Sequence, residues 1–107
     1  MSRDTWATTM FGVYLDREDI EKTFPNADLE DAAELEEDIK AETGLDACTH
    51  MVDGYVSGVG IGFHIEDKLK GDKLIAGIQS TSEKLTKLKT KLKTKPMVIT
   101  MENDDGG

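Results

Sequence analysis

Two strand-like runs flank Asp53-Gly54, and that arrangement limits the fold more than any other feature of the chain. An Asp-Gly pair between apolar runs suits a two-residue type I′ turn, in which both central residues take positive φ. Residues 45–52 and 55–65 therefore read as a hairpin. Along its second strand Tyr55, Ser57, Val59, Ile61, Phe63 and Ile65 share one face. The other face reads Val56, Gly58, Gly60, Gly62 and His64, so three glycines at period two leave it almost bare.

The rest of the chain is arranged around this hairpin. Residues 8–15 alternate, with Phe11, Val13 and Leu15 on one side and Met10, Gly12 and Tyr14 on the other, as a strand would. Asp16 is placed to cap a short helical turn that ends near Phe24, before Pro25. A helix is expected over residues 28–43, closed by Gly44. Its apolar stripe of Leu29, Ala32, Ala33, Leu35 and Ile39 is thin, because Glu36 falls within it. Beyond residue 72, Leu74, Ile78, Thr81, Leu85, Leu88 and Leu92 recur at spacings of four and three, which is a helical seam. Ser80-x-x-Glu83 has the form of a capping box and leaves residues 73–79 open to a strand reading. The seam keeps its phase through the box and favours one continuous helix. Lys95-Pro96 stops it, and residues 97–102 form a last strand.

The order β, α in two pieces, β, β, α, β gives an α+β domain with one antiparallel sheet of about four strands. Both main helices cover one face, in the split βαβ or ferredoxin-like arrangement. Phe11, Val13, Leu15, Val59, Ile61, Phe63, Met97, Ile99 and Met101 are expected on the helix side. Met10, Gly12, Tyr14, Ala47, Thr49, Met51, Val56, Gly58, Gly60, Gly62, Val98 and Thr100 would then tile an open side suited to self-association. Residues 1–102 make the domain, and residues 103–107 a flexible polar tail.

Charge narrows the partners. The chain carries a net −9, yet residues 16–46 alone hold thirteen acidic and three basic residues. A surface of that sign repels nucleic acid and favours a basic protein face. The carboxylates of Glu30, Asp31, Glu34, Glu37 and Asp38 fall on the arc opposite the apolar stripe and are the expected partner-binding residues. Several repel one another at i, i+4, which costs helix stability rather than adding to it. No apolar run is long enough to cross a bilayer, and the lone Cys48 fits a reducing compartment, so the cytoplasm is the expected location.

No catalytic or cofactor motif stands out. Cys48 and His50 lie two apart, but a two-residue turn at 53–54 puts Cys48 opposite Val59 and His50 opposite Ser57, with Cys48 in the apolar core. No CxxC or HxxxH spacing supports a metal, and Asp31 stands where a calcium loop starting at Asn26 needs glycine. Residues 58–62 resemble the third strand of an RNA-recognition motif, but glycines occupy the positions where that family stacks bases on aromatics. The terminal Gly106-Gly107 resembles the ends of ubiquitin-like modifiers and sulfur carriers, which implies activation of the last glycine. The expectation is a non-enzymatic interaction protein, an inhibitor or adaptor that docks carboxylates on a basic face. A diglycine carrier and a small oligomeric regulatory domain are the alternatives.

Overall fold

In the computed structural model of the chain, residues 5–65, 71–87 and 96–104 are described. Asp53 and Gly54 have φ of 52° and 80°, so the hairpin turns as its Asp-Gly pair requires. It joins β2 (Asp46–Val52) to β3 (Tyr55–His64). Before it come β1 (Thr5–Asp16), α1 (Arg17–Thr23) and α2 (Ala32–Thr43), and after it α3 (Gly71–Lys87) and β4 (Met97–Asp104). The four strands form one antiparallel sheet in the order β2-β3-β1-β4.

The helix ends follow side-chain chemistry. Asp16 caps α1 by accepting from the Asp19 N–H at 2.8 Å. α2 begins four residues later than the pattern suggested, because Asp31 takes the N-cap and accepts from the Glu34 N–H. Asp28 instead accepts from the Glu30 N–H in a local turn, which keeps residues 28–30 out of the helix. Gly44 closes α2 at φ 70°, in the left-handed region. α3 runs unbroken through Ser80 and Glu83. Thr81 and Leu85 of its seam are buried, whereas Leu88 and Leu92 lie outside the described residues.

All three helices contribute to one core. Val13 and Leu15 of β1 pair with Ile61 and Val59 of β3, and this face packs against Ile20, Phe24, Leu35, Ile39 and Leu85. Phe63, on the same face, lies so close to Gly77 of α3 that a Cβ there would sit 2.5 Å from its ring. Gly77 thus lets α3 settle onto the sheet. Removing water from these apolar side chains is the main stabilising term.

Two strand registers differ from expectation. β3 carries an extra residue at Ser57, since Met51 pairs with Val56 while His50 pairs with Gly58. The bulge moves every earlier residue of β2 by one place. Cys48 therefore faces Gly60 and His50 faces Gly58, on the glycine side, while Ala47 and Thr49 turn toward the helices. The same bulge brings Val56 into the core. In β4, Met97, Ile99 and Met101 pair with Gly12, Met10 and Thr8, so this stripe covers the glycine face rather than the helix face. Val98 and Thr100 take the opposite side, across from Phe11 and Thr9.

The glycine face is consequently not open. Met10, Gly12, Gly58, Gly60 and Gly62 are buried, and Tyr14 is half-buried. The ends of Met10, Met101 and Ile99 lie over Gly60, and the Tyr14 ring lies over Gly58. Small residues form the floor, and long side chains from neighbouring strands fill it. That leaves no bare platform for a second copy.

The sheet curls around this floor until its two outer strands meet. Asn103 Oδ1 accepts from the Met51 N–H at 2.7 Å, and Asp104 Oδ1 accepts from the Asp53 N–H at 2.7 Å. The Asp104 carbonyl accepts from the Gly54 N–H at 3.4 Å. Further along β2, Glu36 of α2 accepts from both the N–H and the hydroxyl of Thr49, at 2.8 and 3.0 Å. The outward N–H groups at 49, 51 and 53 are thus taken by side chains, which removes β2 as a pairing edge. Asn103, expected in a loose tail, is 3% exposed and also donates to the Met101 carbonyl. Gly106 and Gly107 lie outside the described residues.

Asn103→Ala strips the Met51 N–H of its acceptor at a buried position. Equilibrium urea unfolding should show a loss of about 2 kcal/mol. Hydrogen exchange at the Met51 amide should accelerate beyond what that global loss accounts for.

Candidate functional site

The acidic surface is built from α1, α2 and the connection between them. Its carboxylates have separate tasks. Asp31 caps α2, and Glu30 lies 3.9 Å from the Arg17 guanidinium, which itself donates to the Val56 carbonyl at 2.7 Å. Glu18 bonds Lys22 at 3.0 Å across one helical turn, and that hydrogen bond, with the Glu18 charge, holds the Lys22 ammonium above its usual pKa. Glu34, Glu37 and Asp38 are exposed, and among the described residues no ion pair engages their carboxylates. They stand at i, i+3 and i+4 on one side of α2, so their fields add.

Beside them runs a groove of about 630 Å³ between α2 and the α1–α2 connection. Phe24 and Ile39 lie beneath it in the core, Pro25, Ala27 and Ala41 give its accessible apolar part, and Asp38 and Glu42 flank it. Of the five carboxylates expected at the partner surface, three face solvent with no ion pair among the described residues, and two carry structural duties. What separates the groups is position: Glu30 and Asp31 precede Ala32, where α2 begins, whereas Glu34, Glu37 and Asp38 lie within the helix.

Glu36 was legible only as a flaw in the apolar stripe. It reaches the edge of β2, where it bonds Thr49. Beside it, Cys48 lines a cleft of about 410 Å³ with Glu36, Glu37, Lys40, Asp46 and His64. Cys48 is half-buried on the glycine side rather than in the helix-facing core. Burial pushes its thiol pKa up, and the charges of Glu36 and Asp46 push it further. Such a thiol stays protonated to higher pH and is a poor nucleophile. Iodoacetamide should label native Cys48 more slowly at pH 8 than the same residue in the urea-unfolded chain. Its labelling midpoint should lie above that of a free thiol. By linkage the protonated thiol favours the fold below its ordinary pKa, and that contribution fades as pH rises through the native value. Among the described residues, no three His, Cys, Asp or Glu side chains gather as a metal site would require.

His50 has a different neighbourhood from the one its sequence position suggested. Its Nδ1 is 2.8 Å from the Tyr14 hydroxyl, and its Nε2 is 2.9 Å from the Glu102 carbonyl. A carbonyl only accepts, so Nε2 donates to Glu102, while Nδ1 shares a hydrogen bond with the Tyr14 hydroxyl. The rings meet edge-on at 5.6 Å. This chain of bonds links β1, β2 and β4, and its role is to hold the curl.

Where β2 reaches the end of the β1–β4 ribbon, a second cleft of about 630 Å³ opens. Trp6 and Val52 line it together with Thr5, Glu102, Asn103 and Asp104. Trp6 is 45% exposed, and Tyr55, the hairpin partner of Val52, is 72% exposed. The sequence did not mark this site, because the residues come from both ends of the chain and from the hairpin. Among the described residues no helix is long and apolar enough to cross a membrane. No family model, curated protein or solved structure matches the chain.

Proposed function

We propose that this domain is a non-enzymatic interaction protein, an inhibitor or adaptor that presents the carboxylates of α2 to a basic face of a larger protein. The observation that carries the reading is that Glu34, Glu37 and Asp38 are exposed and, among the described residues, engaged in no ion pair, beside a groove whose accessible apolar surface comes from Pro25, Ala27 and Ala41. Charge steers the encounter, and the small side chains along the groove let a docked partner approach closely. The partner's chemistry follows from complementarity: lysine- or arginine-rich, with an apolar side chain at its centre. A protein that itself handles nucleic acid meets that description, since its phosphate-binding face is basic. The cytoplasm is the proposed location, consistent with a single free cysteine.

The reading takes the fold as ferredoxin-like. Support comes from β3 lying between β1 and β2, with β4 beside β1. The first helical crossover is split into α1 and α2.

Affinity capture from the native cell tests the function. The bait is compared with a variant carrying Glu30→Gln, Glu34→Gln, Glu37→Gln and Asp38→Asn, and bound proteins are quantified by mass spectrometry. A basic protein should be enriched on the wild-type bait at low salt, depleted on the variant, and released by raised salt. Equal recovery on both baits would sink the proposal. Recovery as a covalent conjugate through Gly107 would favour a modifier instead.

A further inference from the structure

We propose that the outer edge of β4 pairs antiparallel with β4 of a second copy of this chain, about a two-fold axis at Ile99, which joins the two sheets into one. The inference goes beyond the α2 reading and uses none of its carboxylates.

The backbone directions follow from the neighbouring strands. The Thr9 carbonyl accepts from the Ile65 N–H at 3.0 Å and so points toward β3, away from β4. Thr9–Thr100 and Phe11–Val98 are therefore the pairs of the β1–β4 ladder that exchange no backbone bonds. The N–H and C=O groups of Val98 and Thr100 point outward. The same alternation aims the Glu102 and Asp104 carbonyls outward, where His50 and Gly54 take them. Among the described residues no hydrogen bond meets the outward groups of Val98 and Thr100. The outward N–H groups of β2 at 49, 51 and 53 are, by contrast, covered.

This edge is not blunted as natural edges usually are. Residues 97–101 hold no charge and no proline, and their register with β1 is unbroken. Met97 and Val98 are 54% and 60% exposed. A basic partner finds no carboxylate along it, whereas an uncharged, β-branched strand fits it, and β4 is itself such a strand. With Ile99 opposite its own copy, Val98 stands opposite Thr100 of the second copy, and each such pair exchanges both N–H···O bonds. Met97 then lies opposite Met101, and Glu102 opposite Pro96 rather than another carboxylate. Other registers are worse. Moving the axis one residue back sets Thr100 against Pro96, which has no N–H, and one residue forward sets Val98 against Glu102, whose carbonyl His50 already holds.

Residues 97–101 are far fewer than the roughly 20–30 a side of a stable interface, so half-dimerisation is expected only at about 0.1–1 mM. Sedimentation equilibrium from about 20 µM to about 1 mM should follow that transition, and amide exchange at Val98 and Thr100 should slow about threefold across it. Thr100→Pro removes a donor that the β1 ladder does not use, and Val98→Lys sets like charges diagonally across the pairing from a position already exposed. Both variants should keep the wild-type circular dichroism spectrum and stay monomeric throughout. Where Thr100→Pro fails to fold, Val98→Lys decides. A wild-type chain that is monomeric at about 1 mM would overturn the proposal. A dimer that the folded variants retain, or that leaves exchange at these two amides unchanged, would overturn it equally.

Discussion

Gly12→Ala and Gly62→Ala should each lower the unfolding free energy by about 3 kcal/mol, whereas Gly60→Ala should cost clearly less. All three glycines lie on one curled face, so composition alone does not rank them. What a new methyl group would meet does. At Gly12 it would run into the Ile61 carbonyl oxygen and sit 2.8 Å from the Gly62 Cα. At Gly62 it would meet the Phe11 carbonyl oxygen and sit 2.7 Å from the Gly12 Cα. These obstacles are backbone atoms of directly paired strands, so relief requires parting β1 from β3 at the centre of the sheet. At Gly60 the obstacles are Met10 Sδ at 2.5 Å and Met101 Cε at 2.9 Å. Flexible thioether side chains can move aside at modest cost. For a chain of this size, about 3 kcal/mol corresponds to a fall in Tm of roughly 15 °C, well within reach of thermal scans. Equal losses for Gly12→Ala and Gly60→Ala would show that the close strand approach does not limit the fold.

The close Gly12–Gly62 approach also explains which parts of the molecule the sequence could reveal. The hairpin turn, the α1 cap at Asp16 and the left-handed Gly44 are local, and each depends on residues within a few positions. Local chemistry of this kind is readable without tertiary knowledge. The core face of Val13, Leu15, Val59 and Ile61 was likewise legible, because strict alternation leaves little choice. The sides taken by β2 and β4 were not. A single bulged residue, Ser57, reverses the alternation of β2, and nothing local distinguishes Ser57 from an ordinary strand residue. In β4 both faces carry apolar residues, so Met97, Ile99 and Met101 could cover either side. The covering of the glycine floor decides it, and that is a long-range matter.

The candidate surfaces divide in the same way. Net negative charge over residues 16–46 locates the acidic surface without a structure. That Asp31 is a cap and Glu36 an edge cover emerges only once α2 is placed beside β2. The strand-end cleft joins Trp6 to residues about 46 and 96 positions further along the chain, Val52 and Glu102. No window of sequence holds them together.

The functional account rests on charge at α2 steering a basic partner, and the association rate measures that most directly. Glu30→Gln, Glu34→Gln, Glu37→Gln and Asp38→Asn remove four negative charges while keeping side-chain shape. Asp31 is left intact because it caps the helix. The variant should be about as stable as wild type, because relief of the Glu34–Asp38 repulsion at i, i+4 offsets loss of the exposed Glu30–Arg17 contact. With the captured partner immobilised, its association rate constant at low salt should fall about tenfold, with a smaller change in dissociation. Wild-type association should slow as salt is raised, and the variant should respond less. A control Lys84→Gln, on α3, should associate at the wild-type rate or faster. An association rate for the four-carboxylate variant equal to wild type at low salt would contradict the account, and these carboxylates would then be only a solvated face.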